Sequence, residues 1–273
     1  MPEWLPKLSL SMGLLLLSWS FLRSELLWKR KVGVWFLPLT LAVVMWIWTS
    51  SILLALMALV LWFGLPLFQT TIASRKLRFS YQRKLETASL SLEEFPGLHQ
   101  ASQEVREGDF DFMGDYWLKP SPQEQAFRLF QHRTKAISGA VALVRQGPFQ
   151  LIYRILATRS QDGALWMTWD YPLAYGLEMP PGFNIYRYLD AEDVTELVDQ
   201  HDAFLELNEV KAGLESDGSA SVYALFEEIF QTTMVHNLKV GMLKRADESD
   251  EIRYTWKGTF FLLRQVLREV VSA

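Results

Sequence analysis

The chain has 273 residues, half of them hydrophobic, with 27 Lys and Arg against 31 Asp and Glu. It has no cysteine, which excludes disulfides, thiolate catalysis and Cys-ligated zinc or iron–sulfur sites. The net charge of −4 conceals a split, since residues 1–84 carry +8 and residues 85–273 carry −12; so acidic a domain is a poor partner for nucleic acid, whose affinity comes from neutralised phosphates.

The first apolar stretch, Leu8–Leu22, is uncharged but only 15 residues long, and its serines (Ser9, Ser11, Ser18, Ser20) gather on no single face. Basic residues follow it rather than lead it and no small-residue cleavage site precedes Arg23, which argues against a signal peptide. Residues 1–31 are read as an interfacial or re-entrant segment, with a third membrane span as the alternative.

From Val32 to Ser74 the chain runs 43 residues without a charge. A single helix needs only about 20 apolar residues to cross a bilayer, so the run predicts a two-helix transmembrane hairpin over 32–73, bending at Thr49, Ser50 and Ser51. Lys29, Arg30 and Lys31 stand before it and Arg75, Lys76, Arg78, Arg83 and Lys84 after it. Basic flanks stay on the cytoplasmic side, and a hairpin returns both flanks to one side. The expectation is a multi-pass protein of a bacterial inner membrane, in contact with lipid through 32–73, with its large remaining domain cytoplasmic.

Residues 74–110 are read as a basic neck and linker. Leu77, Tyr81 and Leu85 repeat at i, i+4, which predicts that the second membrane helix continues to Phe95-Pro96-Gly97, with a polar linker or a frayed helix over 98–110 after it. Residues 111–273 predict an α+β domain. Strands are expected at 113–118, 126–132, 137–145, 149–158 and 164–170, joined by connections so short that neighbours must be antiparallel, a meander. Ser160-Gln161-Asp162-Gly163 is the best hairpin turn, while the alanines of 137–144 also suit a buried helix. Residues 171–188 are too rich in Pro and Gly for regular structure. Three helices close the chain: 191–207 capped by Asp190, a second from Ser219 or Ser221 to about 243, and a third from Thr259 to about 271, all packed on one sheet face.

His201 and His236 each fall on the apolar stripe of a closing helix. Two inward histidines could meet as a polar or metal-binding pair, but the commoner outcome is two core histidines bonded to neighbours, and no three- or four-ligand motif accompanies them. Asp109, Asp111 and Asp115 resemble the opening of a calcium loop, yet Met113 and Pro120 stand where ligands are required. Phosphate-cradling glycine motifs and a nucleophile elbow are absent, so neither cofactor nor metal is expected. The densest candidate is aromatic: Trp166, Trp169, Tyr171, Tyr175, Phe183, Tyr186 and Tyr188 lie within 23 residues. Rings with polar tips favour binding surfaces; otherwise the segment folds over the sheet and buries them.

Residues 240–263 (VGMLKRADESDEIRYTWKGTFFLL) resemble the end of a winged-helix domain, with a helix closing on Gly-Met-Leu, an acidic hairpin, and Tyr-Thr-x-x-Gly opening a helix. No helix-turn-helix precedes them, so the resemblance implies use of the hairpin in protein contacts rather than on DNA. The leading expectation is a membrane-anchored, non-catalytic cytoplasmic module that binds a ligand, a protein partner or a second copy of itself. The alternatives are a metal-assisted hydrolase using His201 and His236, and a subunit of a membrane transport or secretion complex.

Overall fold

The computed structural model describes residues 4–23, 27–81, 84–91, 95–119, 124–146, 149–173, 175–213, 219–246 and 251–272. Its contacts divide the chain into one unit of residues 75–265 and another of residues 1–74 with 266–273. Arg83, the breakers Pro120-Ser121-Pro122 and Gly147-Pro148, and the turn of the acidic hairpin lie outside the described residues, as do the side chains of Arg30 and Lys31.

Three helices open the chain: α1 (Trp4–Leu22), α2 (Leu27–Thr49) and α3 (Ile52–Lys76). α1 packs antiparallel along α2. Ser18 Oγ meets Thr40 Oγ1 at 2.7 Å, Trp48 Nε1 donates to Ser11 Oγ at 3.0 Å, and the Phe21 and Phe36 rings lie 5.9 Å apart. Ser11 and Ser18 are therefore both buried on one face, a heptad apart, whereas Ser9 and Ser20 bond back to carbonyls of their own helix. The four serines thus share no single face, as read, but two of them mark the side on which α1 pairs with α2. Polar contacts between apolar helices hold such pairs together where packing alone gives little preference.

The bend between α2 and α3 falls where expected. Ser50 has a φ of 54°, and Ser51 Oγ accepts from Leu54 N. The two arms, of 23 and 25 residues, extend past the ends of the uncharged run, because Lys29 and Arg75 lie inside the helices. α1 and α3 are long and apolar enough to cross a membrane by length and composition, and the apolar part of α2 is Trp35–Thr49.

The helix does not continue past Lys76. Arg78 donates to the carbonyls of Arg75 and Leu77, and strands follow: β1 (Phe79–Ser80) and β2 (Lys84–Thr87). The i, i+4 spacing of Leu77, Tyr81 and Leu85 misleads because four residues is close to one helical turn and also an even number of strand positions. Residues 98–107, read as a polar linker or a frayed helix, belong to a regular helix, α4 (Pro96–Glu107), which buries Leu98, Ser102 and Val105 on one face. Pro96 opens this helix instead of closing another, since proline suits a first turn where its missing N–H is not needed.

Next come β3 (Phe110–Lys119), β4 (Glu124–His132), β5 (Ser138–Gln146), β6 (Phe149–Arg159), β7 (Leu165–Trp169) and β8 (Phe183–Arg187). With β2 they form a seven-stranded sheet in sequence order. β2 to β7 run as the expected meander, and the β6–β7 turn uses Gly163 at φ 84°. β8 departs from it. It lies parallel to β7, reached by a crossing segment where no regular structure was expected. Pro180, Pro181 and Gly182 end just before the strand and hid it.

Both faces of this mixed sheet are buried, which corrects the one-sided packing. Phe127, Leu129, Ala140, Ala142, Ile155, Ala157, Leu165 and Met167 meet α6 (Ser219–Lys239) through Val222, Leu225, Phe226 and Ile229. The alternate residues, including Ala126, Phe130, Val141, Leu143 and Leu156, meet α4 and α5 (Val194–Leu207). β3 serves both cores because its register shifts between Phe112 and Gly114, so Phe110 joins the α4/α5 core and Leu118 the α6 core. A small sheet, β1 with β9 (Leu243–Arg245) and β10 (Glu251–Tyr254), packs on Met234 and Leu238 of α6, and α7 (Trp256–Ser272) follows. Two caps differ from expectation. Asp193 rather than Asp190 accepts from Glu196 N to start α5, and Thr255 accepts from Gly258 N to start α7 ahead of Thr259.

Arg128 ties the α4 side to the sheet. Its Nε and Nη2 reach the two Asp115 carboxylate oxygens at 2.7 Å each, and Nη1 reaches Ser102 Oγ at 3.3 Å. The pair is 6% and 9% exposed, so removing one partner strands a buried charge. Asp115→Ala is expected to cost about 3–5 kcal/mol in denaturant unfolding of the detergent-solubilised chain, with Asp115→Leu/Arg128→Met recovering most of it.

Candidate functional site

His201 projects from α5 onto the sheet and is fully buried. Its Nε2 lies 3.0 Å from Thr158 Oγ1 and its Nδ1 2.8 Å from Thr168 Oγ1. The Thr158 hydroxyl already donates to Ala136 O, so it must accept from Nε2–H, leaving Nδ1 to accept from Thr168. Both ring nitrogens are thus used in the neutral tautomer, and burial pushes the pKa down to about 4. His236, on α6, lies on the opposite side of the sheet, with Nε2 3.5 Å from Glu178 Oε1. Seven strands separate the faces that the two helices cover, so the expected histidine pair does not form.

The other polar candidates are engaged in structure. His132 Nδ1 accepts from the Thr134 and Lys135 amides, and burial lowers its pKa. Asp109 and Asp111 pair with Arg133, and Asp115 with Arg128. Arg154 spans Asp170 Oδ2 at 2.6 Å, Glu104 Oε2 at 3.5 Å and the Ala191 carbonyl at 3.0 Å, joining α4 and the start of α5 to β6. Among the described residues no three His, Asp or Glu side chains converge as a metal site.

The sheet divides the aromatic cluster. Trp166 and Tyr186 pack on Phe204 of α5, and Tyr188 donates to Glu196 at 2.6 Å, a bond that pushes its phenol up to about 12. Trp169, Tyr171, Tyr175 and Phe183 fall on the α6 side. There Tyr153 and Tyr171 meet edge to face at 4.8 Å, and Trp169 lies 5.2 Å from Tyr175. These rings, with Phe127, Phe230, Thr233, Tyr254 and Leu262, enclose a cavity of about 240 Å³. Its other described walls are Leu77, Gln125, Val144, Gly176, Leu177 and Met234, so among the described residues no charged side chain lines it. Burial raises the Tyr171 phenol pKa, keeping that group neutral.

One residue fixes the segment that roofs this cavity. Asn237 of α6 is fully buried, donates to the Glu178 carbonyl at 2.7 Å and to Thr233 O at 2.8 Å, and accepts from Glu178 N at 2.9 Å. Gly176 lets the roof come close, since a Cβ there would stand 2.7 Å from Tyr254 Oη. The sequence reading named Trp169, Tyr171 and Tyr175 but missed Tyr153, Phe230, Tyr254 and Asn237, which reach the site from β6, α6 and β10. An asparagine within the apolar repeat of α6 was the available signal. Of the basic residues that flank the uncharged run, Arg75 stacks on Trp256 at 4.5 Å, Arg78 closes α3, and Lys76 and Lys84 are exposed.

Compared with family models, curated proteins and solved structures, the chain matches none.

Two outcomes are expected. His201 binds its proton less tightly folded than unfolded, so stability is full above about pH 6.5 and falls as the pH drops towards 4. His201→Gln, which keeps a donor and an acceptor without titrating, should flatten that fall by on the order of 3 kcal/mol in denaturation at stepped pH. Asn237→Ala should destabilise the fold by about 1–3 kcal/mol and speed amide exchange across residues 175–182.

Proposed function

We propose that the chain is a membrane-anchored binding module whose cytoplasmic unit takes a small, uncharged, largely apolar molecule in the aromatic cavity on the α6 side of the sheet. The observation that carries this reading is the lining: aromatic and aliphatic walls whose polar groups, among the described residues, are neutral phenols, an indole N–H, a threonine hydroxyl and one amide. Few and neutral polar groups in an apolar cleft suit a ligand that needs orientation rather than charge neutralisation. A charged ligand would lose its hydration without gaining a partner ion. The membrane part of the reading is supported by two helices of spanning length and by basic residues at both ends of the uncharged run. The antiparallel pairing of α1 and α2 suits crossings by α1, α2 and α3 in turn.

The test uses the full chain in lipid nanodiscs, titrated with 6-fluoro-2-naphthol and followed by fluorine NMR. Saturable line broadening is expected, reduced about tenfold or more in affinity by Leu177→Trp, which fills the cavity. Naphthalene-2-sulfonate, of similar shape but charged, should bind about tenfold or more weakly. Equal binding of the two compounds, or no effect of Leu177→Trp, would sink the proposal.

A further inference from the structure

The two sides of α7 have different surroundings. Leu262 faces inward as a wall of the aromatic cavity, and Thr259 is fully buried. Trp256 and Phe260 point outward, 56% and 63% exposed, and Leu267 continues their line at 47%. At about 3.6 residues per turn these three side chains fall within roughly 40° of one another around the helix. Lys257, Arg264 and Arg268, all exposed, fall together along one flank of that stripe, whereas Glu269 falls on the opposite side of the helix.

Two adjoining rings left in water are unfavourable by the area they expose. The pair has a fixed neighbour: Trp256 lies 6.1 Å from Phe260 at an interplanar angle of 31°, and the Arg75 guanidinium lies 4.5 Å above the Trp256 ring. Arg75 is the next-to-last residue of α3, the more hydropathic of the two helices of spanning length. An outward apolar stripe containing Trp and Phe, with a basic flank and an arginine stacked on its tryptophan, is the composition of a helix that lies in a bilayer interface. Lysine and arginine beside such a stripe match anionic headgroups.

We propose that the outer face of α7 is a lipid-binding surface, seating Trp256 and Phe260 at the headgroup level of a bilayer, with Lys257, Arg264 and Arg268 against anionic lipid. This rests on the reading of α3 as a span, and the experiment separates the two. Because the chain has no cysteine, single spin labels can be placed uniquely at Phe260→Cys, at Val60→Cys on the exposed face of α3, and at Gln161→Cys in the exposed β6–β7 turn. Each full-length variant is reconstituted in vesicles of about three parts phosphatidylcholine to one part phosphatidylglycerol, and label relaxation by oxygen and by a water-soluble nickel chelate is compared. The expected result is oxygen-favoured relaxation at residues 60 and 260, with residue 260 about 5–10 Å deep and shallower when phosphatidylglycerol is omitted, and nickel-favoured relaxation at 161. Nickel-favoured relaxation at 260 with 60 still immersed overturns this inference alone. Shielding of 260 from both reagents also overturns it, since a protein partner or second copy then covers the face. Nickel-favoured relaxation at both 60 and 260 overturns the membrane reading as well. Immersion indifferent to phosphatidylglycerol overturns the role assigned to the basic flank.

Discussion

Successive side chains on a strand point to opposite faces, and in this protein both faces of a seven-stranded sheet are covered by helices. That constraint decides the fate of nearly every residue of interest. Odd-numbered positions along β4, β6 and β7 reach the α6 side, and even-numbered positions reach α4 and α5. Thr158 and Thr168 are both even and meet His201 on α5. Trp169 and Tyr153 are both odd and meet the cavity beneath α6. Two histidines on successive helices, close in sequence, end up on either side of a hydrogen-bonded wall.

The two sides differ in chemistry as well as in composition. Charge is concentrated on the α4/α5 side, but it is consumed there. Arg128, Arg154 and His201 each meet partners supplied by other elements, and these contacts fix where α4 and α5 lie. A buried charge or ring nitrogen left without a partner costs more than the bond it could have made, and Arg128, Arg154 and His201 each find theirs. On the α6 side the sheet offers rings and aliphatic chains, and the roof is held by an asparagine amide instead of an ion pair. A cavity walled by neutral groups persists there because no charge demands that it be filled with water or a counter-ion.

The sequence disclosed the elements better than their arrangement. Five strands were legible from β-rich runs between breakers, and three closing helices from apolar stripes and start signals that fell a few residues from the true caps. β2 was missed because a spacing of four residues fits both helix and strand, and β8 because Pro180-Pro181-Gly182 abuts it. Which face a helix covers is a tertiary outcome, so neither the split of the seven aromatic candidates nor the separation of His201 from His236 was visible. Part of the cavity was legible, since Trp169, Tyr171 and Tyr175 lie close in the chain. Tyr153, Phe230 and Tyr254 are distant in sequence, and no local pattern links them. Arg128 did leave a trace: an arginine inside the apolar run Ala-Phe-Arg-Leu-Phe implies a buried carboxylate partner.

The register shift in β3 acts as a change of phase. Upstream of it, Phe110 and Phe112 run in step with Phe130 and the α4/α5 core; downstream, Tyr116 and Leu118 run in step with Phe127 and Leu85 and the α6 core. A single supernumerary residue thus lets one strand supply large side chains to two cores that never touch. In evolutionary terms it is a frame marker. Point changes in β3 can be absorbed one core at a time, but the loss of one residue between Phe112 and Gly114 would exchange the two cores along half the strand and disturb both at once.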